Sequence, residues 1–180
     1  QSDISFAGSV RCIMIRKREK PEEAVGRLLK KSGCALSVAE SCTGGLLSHK
    51  ITSIPGSSDY FMGGIVAYSN NLKKKILKVT AGTLKKFGAV SKETAVTMAK
   101  GTLKNIGSDV AAAITGIAGP TGGSKAKPVG TVFIAIADKE SEGCRRFLFR
   151  GKRNAIKLAA SNNALKMLIE FLVARHHGKR

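Results

Sequence analysis

Apolar residues recur along this chain in short blocks separated by polar turns, and the blocks alternate between two kinds of element. Glu22–Ser32 reads as a helix, with Pro21 near its first turn and Gly33 as its stop. Ala35–Ala39 is mainly apolar and predicts a buried strand, followed by a short helix over Thr43–Thr52 that the turn Ile54-Pro55-Gly56 ends. Gly63–Tyr68 predicts a second strand. Asn70–Leu77 and Thr83–Phe87 predict short helices, the latter closed by Gly88. Ser91 is placed to cap a longer helix on which Ala95, Met98, Thr102 and Ile106 recur at helical spacing. Asp109–Thr115, Val129–Ala137 and Cys144–Phe149 predict three more strands. A last helix runs from Asn154 to Ala174 with Ile156, Ala159, Leu165, Leu168, Ile169 and Leu172 on its buried side.

Strands with so little polar alternation need cover on both faces. The pattern therefore predicts an α/β fold: a single three-layer domain with a mixed, mostly parallel sheet and helices on both faces. The close spacing of the last three strands predicts an antiparallel or mixed portion there. Residues 21–174 form the expected domain, 1–20 a basic N-terminal arm and 175–180 a basic tail.

With 180 residues, 43% of them apolar, the chain can build a real core and is not a disordered one. No apolar run reaches the roughly 20 residues of a membrane helix, so no membrane partner is expected. The first segment has its apolar patch, Val10–Ile15, ahead of Arg16-Lys17-Arg18, the reverse of a signal peptide's charge order. Cys12, Cys34, Cys42 and Cys144 form no Cys-x-x-Cys pair, and His49, His176 and His177 stand at no familiar ligand spacing; no metal site is expected. Scattered cysteines fit reduced thiols and a cytoplasmic location. The net charge of +19 attracts phosphates, nucleic acid included. The cations are dispersed along the chain, however, and with two tyrosines and no tryptophan there is little for bases to stack on. A basic solvated surface is the plainer account of most of this charge, with steering of an anionic small molecule as a further use.

Four strings could carry chemistry. Glu40-Ser41-Cys42-Thr43-Gly44-Gly45 follows the first strand where a helix begins. A nucleophile on such a turn would meet unpaired N–H groups and a positive dipole end, although Ser41 or Thr43 as a simple cap explains the same string. Cys42, at a possible helix start, is a position where a thiol pKa falls. Thr115–Gly130 is too long and glycine-rich for a plain hairpin, and fits neither a Walker A loop nor a Gly-x-Gly-x-x-Gly turn. Such a loop either cradles an anion or is structural. In Tyr68-Ser-Asn-Asn-Leu-Lys73 a lysine follows a strand end. With few histidines available, a Ser–Lys pair is the natural base arrangement, provided Lys73 is partly desolvated or near other cations, so that it loses its proton near neutrality. Lys74 and Lys75 are neighbours that favour this. Arg153, where the last strand meets the last helix, could hold a phosphate with its planar fork, or be a solvated arginine.

Taken in order, Ala39-Glu-Ser-Cys-Thr-Gly-Gly45, Tyr68-Ser-Asn-x-x-Lys73, the Thr115–Thr131 glycine loop and Phe149-x-Gly-x-Arg153 resemble the C-terminal domain of the competence/damage-inducible protein CinA, the nicotinamide-nucleotide amidohydrolase family. The similarity covers Glu22 to Leu172, and a stand-alone form of that domain is expected. The resemblance implies hydrolysis of the carboxamide of nicotinamide mononucleotide to nicotinic acid mononucleotide and ammonia, with no cofactor. It implies Ser41 as nucleophile, Lys73 as base and Tyr68 as an assisting hydroxyl. Glu40, Thr43, Gly44, Gly45, Thr115, Gly116, Gly119, Gly122, Gly123, Ser124 and Arg153 would surround the substrate, with Arg153 on its phosphate and helix-terminal N–H groups on the oxyanion. The expected partners are a small nucleotide and further copies of the chain. The alternative is a non-catalytic nucleotide- or nucleic-acid-binding protein.

Overall fold

The computed structural model describes residues 19–177, with side chains described through Arg175. Twelve elements follow in order. They are α1 (Pro21–Ser32), β1 (Leu36–Glu40), α2 (Leu46–Thr52), a 3-10 turn (Ser57–Asp59), β2 (Phe61–Val66), α3 (Asn70–Lys75), α4 (Ala81–Phe87), α5 (Lys92–Ile106), β3 (Val110–Gly116), β4 (Thr131–Ala137), β5 (Glu142–Leu148) and α6 (Arg153–His177).

The five strands form one sheet in the order β2-β1-β3-β4-β5. β1 pairs parallel with β2 and β3, β4 is antiparallel to both neighbours, and so β4 alone opposes the common direction. α1, α2 and α6 cover one face and α5 the other. The α/β three-layer reading and the antiparallel end of the sheet are thus present. β1 lies between strands reached by connections on opposite faces, so a crevice opens beyond its carboxyl end, the position where open α/β sheets bind ligands.

The two faces pack differently. Val38, Ile114, Val132, Ile134 and Ile136 face α1 and α6. On the α5 side Ala39, Ala113 and Ala135 stand in one row across three strands, and all are fully buried. Small side chains there let α5 lie low. Gly101 continues the fit, since a Cβ on it would stand 2.2 Å from the Leu77 carbonyl oxygen.

Several boundaries differ from the sequence reading. β2 begins at Phe61 and ends at Val66, because it follows the Ser57–Asp59 turn and pairs Phe61 with Leu36; Tyr68 lies beyond the strand. On α6, Ala159 and Ile169 are only half-buried and Ala160 and Ala164 carry the seam. Within the expected arm, residues 1–18 lie outside the described residues. Lys20 caps α1, its N–H donating to Glu23 Oε2 at 2.9 Å, and Glu19 pairs with Arg27. Helix α6 continues to His177, so Arg175 belongs to it and pairs with Asp138 at 3.4 Å; residues 178–180 of the expected tail lie outside the description.

Candidate active site

Ser41 follows the last residue of β1, and its backbone N–H still donates to Ile114 O on β3 at 3.0 Å. The turn that follows bends sharply through Gly44 and Gly45, whose φ angles of 62° and 97° suit glycine. Helix α2 starts only at Leu46, three residues later than its predicted start at Thr43. The reason is Glu40. Its fully buried carboxylate accepts from the N–H groups of Gly45 (3.0 Å), Leu47 (3.0 Å) and Ser48 (2.8 Å), and from Ser48 Oγ (2.7 Å). Glu40 is therefore a helix cap delivered from the preceding strand, not a substrate contact. The α2 terminus that was expected to hold an oxyanion is already occupied by this carboxylate.

Lys73 occupies the interior beside Ser41. It is 2% exposed, and its Nζ lies 2.9 Å from Ser41 Oγ, 2.8 Å from Ala67 O and 3.5 Å from Tyr68 O. Two of these partners are carbonyls, which only accept. A neutral amine would give its two N–H bonds to them and turn its lone pair to the Ser41 hydroxyl. Burial lowers the Lys73 pKa from the ordinary lysine value, opposed by the nearby Cys42. The adjacent Lys74 and Lys75 are exposed, so desolvation takes the place assigned to them from sequence. Cys42 behaves opposite to expectation: α2 does not start there, and burial pushes its thiol up to about 11, where it is a poor nucleophile at neutral pH.

Ser41 and Lys73 open into a cleft of about 280 Å³. Its lining includes Cys42, Tyr68, Thr115, Gly116, Gly119, Gly122 and Arg153. Arg153, the first residue of α6, donates to Gly119 O at 2.8 Å and to the Tyr68 hydroxyl. It thus ties the glycine loop to Tyr68 in the segment following β2. Tyr68 is 58% exposed, and its hydroxyl is engaged with Arg153. Thr115 Oγ1 donates to Ala89 O at 2.7 Å, which fixes the end of β3 to the wall formed by Ala89 and Val90.

Other expected site residues lie outside this lining. Thr43 is fully buried, with no hydrogen-bond partner for Oγ1 among the described residues, and Gly44 and Gly45 lie beside Lys157 on α6 and Val66 on β2. Gly123 packs on the Val129 backbone, and Ser124 closes the loop tip through Oγ, which accepts from Lys127 N–H at 3.1 Å. Ile117, Ala118 and Thr121 line the cleft as part of the Thr115–Ser124 loop expected to surround the substrate, whereas Asn70, Ala89 and Val90 line it without having been named as site residues. Asn70, at the start of α3, was within the quoted Tyr68–Lys73 string; Ala89 and Val90 carry no local signal. Among the described residues no three His, Cys, Asp or Glu side chains group as metal ligands would, and no helix is long and apolar enough to cross a membrane.

The CinA C-terminal domain profile matches residues 18–172. The chain is 51% identical over 157 residues to a CinA-like protein of Thermotoga maritima, covering 87% of this chain and 38% of that protein. It is 50% identical over 157 residues to a CinA-like protein of Geotalea daltonii, with 87% and 38% covered. The chain thus spans a little over a third of the length of these relatives. A solved CinA superfamily protein from Klebsiella pneumoniae superposes with a TM-score of 0.83 at 34% identity, covering 86% of this chain and 96% of that one. A competence/damage inducible protein from Agrobacterium tumefaciens gives a TM-score of 0.79 at 42% identity, with 83% and 93% covered. Fold, site strings and relatives agree, and the chain belongs to the CinA C-terminal domain family.

Proposed function

We propose that this domain hydrolyses the carboxamide of nicotinamide mononucleotide through Ser41 as nucleophile and Lys73 as base. One observation carries the reading: a lysine buried to 2% exposure with Nζ 2.9 Å from a serine hydroxyl at the floor of a nucleotide-sized cleft. Burying an ammonium without a carboxylate costs stability, and a neutral amine avoids that cost. Neutral Lys73 takes the Ser41 proton as Oγ attacks the amide carbon. The tetrahedral oxyanion then collapses, ammonia leaves with a proton returned through Lys73, and water hydrolyses the acyl-enzyme. Because Glu40 occupies the α2 terminus, the oxyanion donors of this proposal are the backbone N–H of Cys42 and those of the glycine loop that line the cleft. Arg153 would meet the substrate phosphate with the donors it does not spend on Gly119 and Tyr68. Tyr68 would act by holding Arg153 in place.

The test is to incubate the protein with nicotinamide mononucleotide and measure ammonia. Ser41→Ala should abolish release while leaving the circular dichroism spectrum unchanged. More than a few per cent of residual turnover would remove Ser41 from the nucleophile's role.

A further inference from the structure

The charge of this chain is distributed unevenly in space. Residues 60–92, 110–137 and 143–169 hold seven, two and seven lysines plus arginines, and no aspartate or glutamate. These stretches contain α3, α4, the glycine loop, most of β5 and most of α6; α3, the glycine loop and the first residue of α6 line the cleft itself. At the cleft end the carboxylates are Glu40, spent on capping α2, and Glu93 in the first turn of α5, and others lie at the opposite end of the sheet. Asp59 and Asp109 precede β2 and β3, while Asp138 and Glu142 flank the β4–β5 turn.

At the cleft end, contacts draw cations from three elements into one ridge. Lys127 Nζ donates to Phe87 O at 2.7 Å, fastening the glycine loop to the end of α4 that carries Lys85 and Lys86. Arg146 on β5 donates to Ala126 O at 3.1 Å, beside Lys125. Lys85, Lys86, Lys125 and Arg146 are exposed, and none of them takes part in the ion pairs found among the described residues. Adjacent cations without carboxylates repel one another, and a bound anion relieves that repulsion. The ridge lies outside the cleft lining, so a mononucleotide seated in the cleft leaves it unneutralised.

We propose that the ridge of Lys85, Lys86, Lys125, Lys127 and Arg146 binds the phosphate backbone of a single-stranded polynucleotide without regard to sequence. Several cations in a row match repeated phosphates. A single strand is flexible enough to follow an edge built from three elements, and exposed Tyr68 at the cleft mouth offers it a stacking face.

The experiment is fluorescence anisotropy with a labelled oligothymidylate of about 20 nucleotides, longer than typical single-strand site sizes. Five neutralised phosphates predict a slope of log affinity on log salt of about −3.5, hence roughly 100-fold weaker binding at about 200 mM than at about 50 mM salt. The triple variant Lys85→Ala, Lys86→Ala, Lys125→Ala should flatten that slope by about 2 without changing the thermal unfolding temperature. A charge-matched control, Lys31→Ala, Lys104→Ala, Lys139→Ala, removes exposed lysines near the opposite end and should leave the slope unchanged. Equal effects of the two triples would overturn the proposal in favour of bulk charge. So would an unchanged slope in the ridge variant, tighter binding to a duplex of equal length, or tighter binding to vesicles of anionic phospholipid.

Discussion

Removing the Glu40 carboxylate should damage the turn that presents Ser41 before it damages anything else. Its two oxygens accept four hydrogen bonds, three from backbone N–H groups of Gly45, Leu47 and Ser48 and one from Ser48 Oγ. Glu40→Ala leaves those three donors without a partner in a partly buried setting. At ~1–2 kcal/mol per orphaned donor, the loss is ~3–6 kcal/mol, above the ~0.5–2 kcal/mol of an ordinary exposed cap. For a chain of this size that lowers the unfolding temperature by ~6–24 °C, at about 2–4 °C per kcal/mol. Glu40→Gln is milder. Its amide oxygen can serve Gly45 and Leu47, the Ser48 hydroxyl can reverse and accept from the amide, and only the Ser48 N–H loses its acceptor, a cost of ~1–2 kcal/mol. Thermal unfolding followed by circular dichroism, with kcat and KM for ammonia release measured on both variants, checks the order. Stability and kcat should fall in the sequence native, Gln, Ala, with KM little changed. If Glu40→Ala melts with the native protein while KM rises, the carboxylate contacts substrate and the capping argument is wrong.

Three further outcomes follow from the same geometry. The pH–rate profile should rise as Lys73 loses its proton, below the ~10.4 of an ordinary lysine because burial lowers its pKa, and Lys73→Arg should be nearly inactive; an active arginine variant excludes Lys73 as the base. Because folded Lys73 binds its proton less tightly than the unfolded chain does, its burial penalty is largest below the folded pKa and is relieved as pH rises toward ~10.4, and this upward stability slope should vanish in Lys73→Met. Arg153→Ala should weaken turnover of nicotinamide mononucleotide by ~10–150-fold, from the ~1.5–3 kcal/mol of a charge-assisted bond, and affect the phosphate-free riboside only several-fold through the lost Gly119 and Tyr68 contacts; equal losses would make Arg153 purely structural.

Much of the fold was legible because its strands carry apolar residues on both faces: Val110–Gly116 and Thr131–Ala137 can be little else than covered strands. The end signals at Pro21, Gly33, Gly88 and Ser91 were local, and the structure uses them as helix ends. The start of α2 was misplaced because its cap comes from Glu40, five to eight residues upstream, rather than from the Ser or Thr within the turn. Lys73 was marked by its motif, but the sequence left open whether desolvation or neighbouring cations would lower its pKa; burial does. In the sequence it is the first of three equivalent lysines. Only the fold, which brings Lys73 Nζ to Ser41 after β1 and to Ala67 after β2, turns that one side chain inward and leaves Lys74 and Lys75 in water. The cleft wall at Ala89 and Val90 has no chemistry of its own, and it is identified only by the Thr115–Ala89 bond that closes the space.

The alanine row beneath α5 has a consequence for how this sequence can change over time. On the α1–α6 side, branched residues of similar volume can replace one another at a cost usually below ~1.5 kcal/mol, so drift among Ile, Val and Leu is open. On the α5 side, at Ala39, Ala113 and Ala135, every step except to glycine is an enlargement, and each extra methylene must lift a fifteen-residue helix whose Gly101 already touches the Leu77 backbone. A library randomised at both faces should therefore return varied aliphatic residues on one side and almost nothing beyond alanine, glycine, serine and cysteine on the other. Mutational tolerance in this domain would then follow the two sides of a single sheet rather than distance from the cleft.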